Sequence, residues 1–159
     1  MIMGWSLDSA VESDIDDLMA WFPDAGSINI WGGPAFRYPF DRESFHADCR
    51  RNEYSSFCLK NAAGNLAAFG QMGHRYGRSH LARLVANPDM RGQGVGRRLL
   101  EEMIAVAREK PDVDEMALFV YKDNEPAYRC YLALGFAVQD YPDRASLREK
   151  CFYMTRPAK

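Results

Sequence analysis

The chain has 159 residues, 47% of them apolar and 26% charged, which is typical of one folded domain and excludes a disordered protein. Its formal net charge of −2 provides no general attraction to nucleic acid or to anionic lipid. No stretch approaches the roughly 20 apolar residues that cross a bilayer, and the first residues lack the basic start of a secretory signal. We therefore expect a cytoplasmic protein with no nucleic-acid or membrane partner.

The four cysteines are widely scattered, and none forms a C-x-x-C pair. This spacing argues against a zinc site, and a disulfide framework is not expected without a signal peptide. The sequence therefore predicts no metal and reduced, buried or half-buried thiols at Cys49, Cys58, Cys130 and Cys151.

The N-terminal region predicts a strand at residues 2–8 and a helix over 13–22. Ser13 and Asp16 have the spacing of a capping box. Apolar residues follow at helical spacing, namely Ile15, Leu18, Met19 and Phe22.

Residues 23–40 are rich in Pro, Gly and Ser, which predicts a long loop, although the segment also carries many aromatic residues. A second helix is expected to begin at Asp41 and to turn Phe45 and Cys49 inward.

An antiparallel meander is predicted next. Strands over 55–60 and 66–76 form a hairpin around the turn 61–65. A third strand follows over 80–88 and ends at Pro88, which cannot donate to a ladder.

The second half alternates helices with strands. An amphipathic helix is predicted over 94–109, a buried strand over 115–122 and a short helix from 125 that Gly135 ends. Two closing strands are expected over 137–142 and 150–157, joined by a loop over 142–149. The order β-α-α-β-β-β-α-β-α-β-β predicts a mixed α/β fold, with a meander followed by a helical crossover to a central strand.

Three glycines, Gly92, Gly94 and Gly96, stand where the third strand gives way to the long helix. Glycines let the main chain approach a ligand, and the unpaired N–H groups at a helix start bind phosphate well. A P-loop would need a Lys-Ser or Lys-Thr pair, and a dinucleotide fingerprint would need glycine where Arg97 stands. The pattern that fits is R-x-x-G-x-G, from Arg91 to Gly96. Taken alone, it is also compatible with a strand-to-helix turn that binds nothing.

The segments "VANPDMRGQGVGRRLL" and "NEPAYRCYLALGF" resemble those of the GNAT superfamily of N-acetyltransferases, whose loop reads [Q/R]-x-x-G-x-[G/A]. In the second segment an Asn opens a helix and a Tyr lies four residues before Gly-Phe. The resemblance implies a single GNAT-like domain over 1–159, with a splayed central strand pair and acetyl-CoA as co-substrate.

The resemblance also implies where acetyl-CoA binds. Main-chain N–H groups of the loop would hold the pyrophosphate, and the preceding strand would pair with the pantetheine amides, as an added strand does. Asn124 would contact the pantetheine arm, although Asn before Glu-Pro is also a good helix cap. The cofactor-binding residues are therefore expected to be Leu84, Val85, Ala86, Arg91, Gly92, Gln93, Gly94, Val95, Gly96, Arg97 and Asn124.

The implied reaction is direct attack of an amine on the acetyl thioester through a tetrahedral intermediate, whose oxyanion the Val85 N–H would stabilise. Tyr131 occupies the family's tyrosine position and would protonate the departing thiolate; its alternative is a core aromatic. Many relatives carry a glutamate on the strand before the loop, but "GRSHLARLVANP" has none. His80 is the histidine of that stretch and the candidate base, with Glu115 or relayed water as alternatives.

The aromatic segment "INIWGGPAFRYPF" corresponds to the region that shapes the acceptor site in this superfamily. Trp31, Phe36, Arg37 and Tyr38 are the candidate acceptor-binding residues, and Arg37 or Arg75 is the candidate for an acceptor carboxylate. Alternatively, this segment only pins the helices to the sheet. The acceptor itself, small-molecule or peptide amine, stays open, as does monomer or homodimer. The alternative function is a catalytically weak CoA-binding sensor or interaction domain.

Overall fold

A computed structural model describes residues 4–142 and 150–159. Its elements, in chain order, are β1 (Ser6–Ser9), α1 (Glu12–Met19), α2 (Ala25–Gly32), α3 (Arg42–Asp48), β2 (Ser55–Lys60), β3 (Leu66–Arg75), β4 (Arg78–Ala86), a short 3-10 turn (Pro88–Met90), α4 (Val95–Arg108), β5 (Glu115–Tyr121), α5 (Glu125–Ala133), β6 (Ala137–Gln139) and β7 (Cys151–Pro157).

The strands form a sheet in the order β1-β2-β3-β4-β5-β7-β6. β1, β2 and β3 pair in antiparallel fashion, as do β5, β7 and β6. β4 and β5 pair in parallel, with Ser79 opposite Met116 and His80 opposite Ala117. The mixed α/β prediction is confirmed, and β5 lies between two other strands, as its apolar sequence indicates.

The predicted loop over 23–40 is wrong over part of its length, because α2 forms there. The Asp24 side chain accepts from the Ser27 N–H at 2.7 Å, and Ser27 Oγ contacts the Asp24 main chain in return. This reciprocal cap satisfies main-chain groups at the helix start and offsets two glycines in the helix.

The capping box predicted for α1 is also wrong. The helix begins after Val11, whose main-chain N–H donates to the Asp14 carboxylate at 3.0 Å. The first strand is shorter than predicted and begins at Ser6. Most of the loop predicted over 142–149 lies outside the described residues.

The chain divides into two compact units, each with its own core. One unit comprises the chain up to Met72 together with Arg83–Leu99, and the other comprises Gly73–Ala82 and Leu100–Lys159. The single domain over 1–159 therefore stays a prediction.

The core of the first unit is aromatic. Its buried residues include Ile15, Leu18, Phe22, Ile28, Phe36, Phe45 and Phe69. In the second unit, α4 and β5 supply Met103, Ile104, Ala107, Met116 and Leu118, together with Tyr153 and Met154 of β7. Burying such side chains contributes roughly 25 cal/mol per Å² of apolar surface, so each unit has a real driving force for folding.

The cysteines are free thiols, and Cys49, Cys58 and Cys151 are buried. Burial raises the pKa of the Cys49 thiol to about 12 and also raises that of Cys151, so both stay protonated and inert at neutral pH. Within residues 4–142 and 150–159, no helix is long and apolar enough to cross a membrane.

Candidate active site

The segment after β4 folds into an ordered turn before α4. The Asn87 side chain donates to the Leu66 carbonyl at 3.0 Å and accepts from the Asp89 N–H at 2.9 Å. Its main-chain N–H donates to the Ala67 carbonyl at 2.8 Å, so Asn87 fixes the loop to β3. Pro88 then starts the 3-10 turn, where its missing N–H costs nothing.

The glycines of the loop have the conformation and the space that a phosphate cradle requires. Gly92 and Gly94 adopt φ values of +78° and +77°, which other residues enter only with strain. A Cβ added at Gly92, Gly94 or Gly96 would meet no atom within 4 Å, so the main chain is open to a ligand on all three.

The start of α4 supplies the donors. The Arg98 N–H makes a helical bond to the Gly94 carbonyl at 3.0 Å, while the N–H groups before it in the first turn have no acceptor further back in the helix. α4 runs for 14 residues, so its dipole adds partial positive charge at this end. The residues present therefore fit a bound pyrophosphate.

β4 leads into this loop through an unusual residue. Arg83 has a φ of +52° in the middle of the strand. Its carbonyl oxygen accepts from the indole Nε1 of Trp31 at 2.8 Å. Leu84, Val85 and Ala86 follow, each half-buried, and Val85 packs against the aromatic core of its unit. The hydrogen bond from Trp31 and the packing of Val85 therefore hold in place the segment that is proposed to pair with pantetheine.

Tyr131 and Asn124 both belong to α5. The Tyr131 ring packs edge-on against Phe136, with 6.2 Å between the ring centroids, and burial raises the pKa of its phenol. A raised pKa keeps the proton on the phenol at neutral pH and also makes the phenol a weaker acid. The Asn124 side chain caps α5 by accepting from the Ala127 N–H at 3.4 Å, so its capping role is real.

His80 is buried on β4, with its ring 5.2 Å from that of Phe119 on β5. The alternative base Glu115 forms an ion pair with Arg78 at 2.9 Å. The Arg75 guanidinium lies over the Phe119 ring, 5.7 Å from its centroid.

The four candidate acceptor residues fall into two groups. Trp31 and Phe36 belong to the aromatic core of the first unit, and Trp31 stacks on Phe22 with a centroid distance of 4.4 Å. Arg37 and Tyr38 are exposed; Arg37 pairs with Asp48 at 2.9 Å, and the Tyr38 hydroxyl donates to the Pro23 carbonyl. Most of the contacts of these four side chains fit the alternative role, in which the segment only holds the helices in place.

An open cavity of about 370 Å³ lies at the start of β2. Its lining is mostly polar and runs from Arg51 to Phe57, with Ser9 and Ala10. It contains none of the residues predicted for the site, so it does not change the assignment.

A family model described as the acetyltransferase (GNAT) family matches residues 16–136, more than half of the chain. The chain belongs to the GNAT acetyltransferase family. GNAT acetyltransferases use acetyl-CoA as the acetyl donor, and the geometry of the glycine loop fits that ligand. The resemblance carried by the loop and by the segment before Gly135 is therefore confirmed.

A curated relative from Bacillus subtilis (strain 168), provisionally named a ribosomal protein bS18-alanine N-acetyltransferase, is 25% identical over 101 residues, 64% of this chain. The match covers 66% of that relative, slightly less than two thirds of its length.

Two solved GNAT structures resemble the whole chain. Spermidine N-acetyltransferase from Vibrio cholerae, in complex with CoA and spermine, has a TM-score of 0.75 at 15% identity over 98% of this chain and 96% of that one. Ribosomal-protein-S18-alanine N-acetyltransferase from Escherichia coli has a TM-score of 0.67 at 23% identity over 97% and 94%. At these identities the likeness concerns the fold.

Sequence reasoning missed Arg83. It interacts with Gln71 of β3, with the rings of Phe36 and Tyr54 and, through its main chain, with Trp31. In the sequence it stands as an ordinary polar residue of an alternating strand, and its partners lie 12 to 52 residues away, so only the fold brings them to it.

Proposed function

We propose that this GNAT chain transfers the acetyl group of acetyl-CoA to a primary amine by direct attack of the amine on the thioester. The observation that carries the proposal is the open glycine loop at the start of α4, where main-chain donors and a helix dipole meet. Acetyl-CoA supplies the activated acetyl group; the protein binds it and manages the protons. A cytoplasmic location stays a prediction.

The main-chain N–H groups from Arg91 to Arg97 hold the pyrophosphate, and the strand segment Leu84–Ala86 pairs with the pantetheine amides. In this role the protein acts as a neighbouring strand would, through regularly spaced main-chain groups. The Val85 N–H stabilises the charge that develops on the carbonyl oxygen. Asn124 orders the pantetheine arm while it also caps α5.

Proton transfer needs two groups. A lysine-like amine has a pKa of about 10.4, so reaching its neutral form at pH 7 costs roughly 4–5 kcal/mol. His80, buried beside Phe119, accepts that proton, directly or through water. Tyr131, the tyrosine of the segment before Gly135, returns a proton to the thiolate. Burial raises the pKa of its phenol, so the proton is present at neutral pH.

Trp31, Phe36, Arg37 and Tyr38 are proposed to shape the acceptor site. Trp31 and Phe36 do so as a rigid aromatic floor, because both are packed into the core. Arg37 and Tyr38 stand at the surface, where Arg37 is already paired with Asp48. The names of the relatives, which mention spermidine and an alanine of ribosomal protein S18, define two classes of amine to try.

The test is a thiol-release assay with acetyl-CoA and a panel of primary amines, run beside the same mixtures without protein. Amine-dependent release of CoA that ends when His80 is changed to Ala supports the proposal. Binding of CoA without release on any amine would instead favour a CoA-binding sensor, the alternative that the missing strand glutamate raises.

A further inference from the structure

Arg83 has a guanidinium that the fold holds in a fixed place. Its Nη1 donates to Gln71 Oε1 at 2.8 Å. Gln71 is fully buried, and its Nε2 donates to the Cys49 carbonyl at 2.7 Å and to Ser56 Oγ at 2.9 Å. Because both amide donors are engaged, the Gln71 oxygen has to face Arg83.

Two rings flank the same guanidinium. Its carbon lies 5.2 Å from the centroid of Phe36 and 5.3 Å from that of Tyr54. Such cation–π contacts contribute about 0.5–2 kcal/mol each and restrict the orientation of the planar group. The Trp31 hydrogen bond to the Arg83 carbonyl fixes the main chain as well. Side chains from four segments thus converge on one arginine.

The charge of Arg83 lacks a carboxylate partner among residues 4–142 and 150–159. Asp48, the acidic group whose charge reaches it, accepts from the Arg37 N–H, Nε and Nη2 instead. Arg83 Nε is buried and has no hydrogen-bond partner. Burial also lowers the pKa of this guanidinium, although arginine stays charged.

A buried charge without an ion-pair partner is costly, and a free carboxylate is its natural partner. Arginine binds carboxylates through two parallel N–H groups, which gives both energy and orientation. Arg83 directly precedes Leu84–Ala86, the segment proposed to pair with pantetheine, so the two proposed binding elements are consecutive in β4.

We propose that the acceptor is a primary amine that also carries a carboxylate, and that Arg83 binds this carboxylate while Gln71, Phe36 and Tyr54 hold the guanidinium in position. This inference rests on the proposed acetyl transfer and names its substrate class. It predicts that polyamines, which carry only positive charge, are poor acceptors of this chain.

The experiment compares matched acceptors that differ only in the carboxylate: lysine with cadaverine, and β-alanine with β-alaninamide. We expect kcat/KM to be at least about tenfold higher for the carboxylate member, the gain of one charge-assisted pair. In Arg83→Met the ratio is expected to fall to about one, and in Arg83→Lys to an intermediate value. Arg42→Met, which removes an exposed arginine paired with Asp16, is the control and keeps the parent ratio.

Gln71→Glu provides a second route if Arg83→Met does not fold. It places a carboxylate of the protein against Arg83 and is expected to abolish the preference by occupying the guanidinium. Binding of the same acceptors in the presence of CoA, followed by saturation-transfer NMR, gives a readout that does not need turnover.

The inference is overturned if the parent protein treats both members of each pair alike, or if the preference survives in Arg83→Met. Acetyl-CoA affinity, measured by calorimetry, is expected to be unchanged in Arg83→Met. Transfer to amines without a preference for the carboxylate member would therefore refute the substrate class and leave the proposed function intact. Carboxylate-selective binding without any acetyl transfer would refute the proposed function and leave the role of Arg83 in binding intact.

Discussion

The indole Nε1 of Trp31 donates a hydrogen bond of 2.8 Å to the carbonyl oxygen of Arg83, 52 residues further along the chain. The bond joins α2 to the point in β4 where the main chain adopts a φ of +52°. It therefore stabilises a conformation that an arginine adopts only with strain. The last residues of β4 and then the glycine loop come directly after Arg83 in the chain.

Trp31→Phe keeps an aromatic ring in the stack with Phe22 but removes the donor. The half-buried Arg83 carbonyl loses its partner, so we expect the free energy of unfolding to fall by about 1–3 kcal/mol. Urea denaturation of the parent and the variant measures this. Trp5→Phe, at a half-buried tryptophan outside the aromatic core, is the control and is expected to stay within about 0.5 kcal/mol of the parent. Equal losses in both variants would show that the indole bond is unimportant.

Gly32 is the position in α2 where a side chain does not fit. A Cβ there would lie 2.4 Å from Cδ1 of the buried Phe36, whereas at Gly26 of the same helix the nearest atom is 3.6 Å away. We expect Gly32→Ala to lower the thermal midpoint, at a cost of about 1–3 kcal/mol from overpacking. Gly26→Ala is expected to be neutral or stabilising, because alanine favours helix. A Gly32→Ala protein as stable as the parent would contradict the packing of Phe36 against α2.

Tyr131→Phe tests the proposed proton donor. We expect kcat to fall by about 100-fold or more, with little change in the KM for acetyl-CoA. Tyr128→Phe, one turn earlier in α5 and packed on Phe152 with 5.1 Å between the ring centroids, is the control and keeps its activity. Because burial raises the pKa of the Tyr131 phenol, no loss of rate from its ionisation is expected below pH about 10. Full activity of Tyr131→Phe would remove this residue from the mechanism.

The ion pair between Arg37 and Asp48, the last residue of α3, makes the stability of the protein depend on pH under acidic conditions. Burial works to raise the pKa of the Asp48 carboxyl, but hydrogen bonds from Arg37 outweigh burial and hold the pKa below its ordinary value. A group of this kind stabilises the fold above its unfolded pKa of about 3.9, and the contribution is lost as pH falls through the folded value.

Asp48→Asn is therefore expected to lower the free energy of unfolding by about 1–2 kcal/mol at pH 7. The difference from the parent should begin to shrink below pH about 4, where the unfolded carboxyl becomes protonated, and should vanish once pH falls through the lowered pKa of the folded carboxyl. Asp17→Asn, at an exposed position of α1, serves as the control. A loss that is constant from pH 7 to pH 3 would mean that the Arg37 pair does not carry the effect.

Local signals explain what the sequence could predict of the fold. The apolar spacing of α4 and the Asn61–Asn65 turn of the hairpin need only near neighbours, and both occur as expected. α2 was missed because its composition indicates a loop. The available signal was Asp24 followed three residues later by Ser27, which is an N-terminal cap.

Contacts between distant residues explain what could not be predicted of the site. The glycine loop was recognisable because its chemistry lies in consecutive main-chain groups. Arg83 was not, because its position depends on the pairing of strands and on a helix that itself was not expected. Tyr131 and His80 stay predictions for the chemistry.

The most direct measurement is calorimetric titration of acetyl-CoA into the parent protein, Gly94→Ala and Gly64→Ala. Both glycines have a positive φ, +77° and +83°, and neither has an atom within 4 Å of an added Cβ, so the two substitutions impose similar strain in different loops. Strain of about 1–2 kcal/mol at Gly94 should misalign the cradle and weaken binding by about tenfold, while Gly64→Ala binds as the parent does. No heat of binding with the parent protein, or equal affinity in all three, would contradict the account.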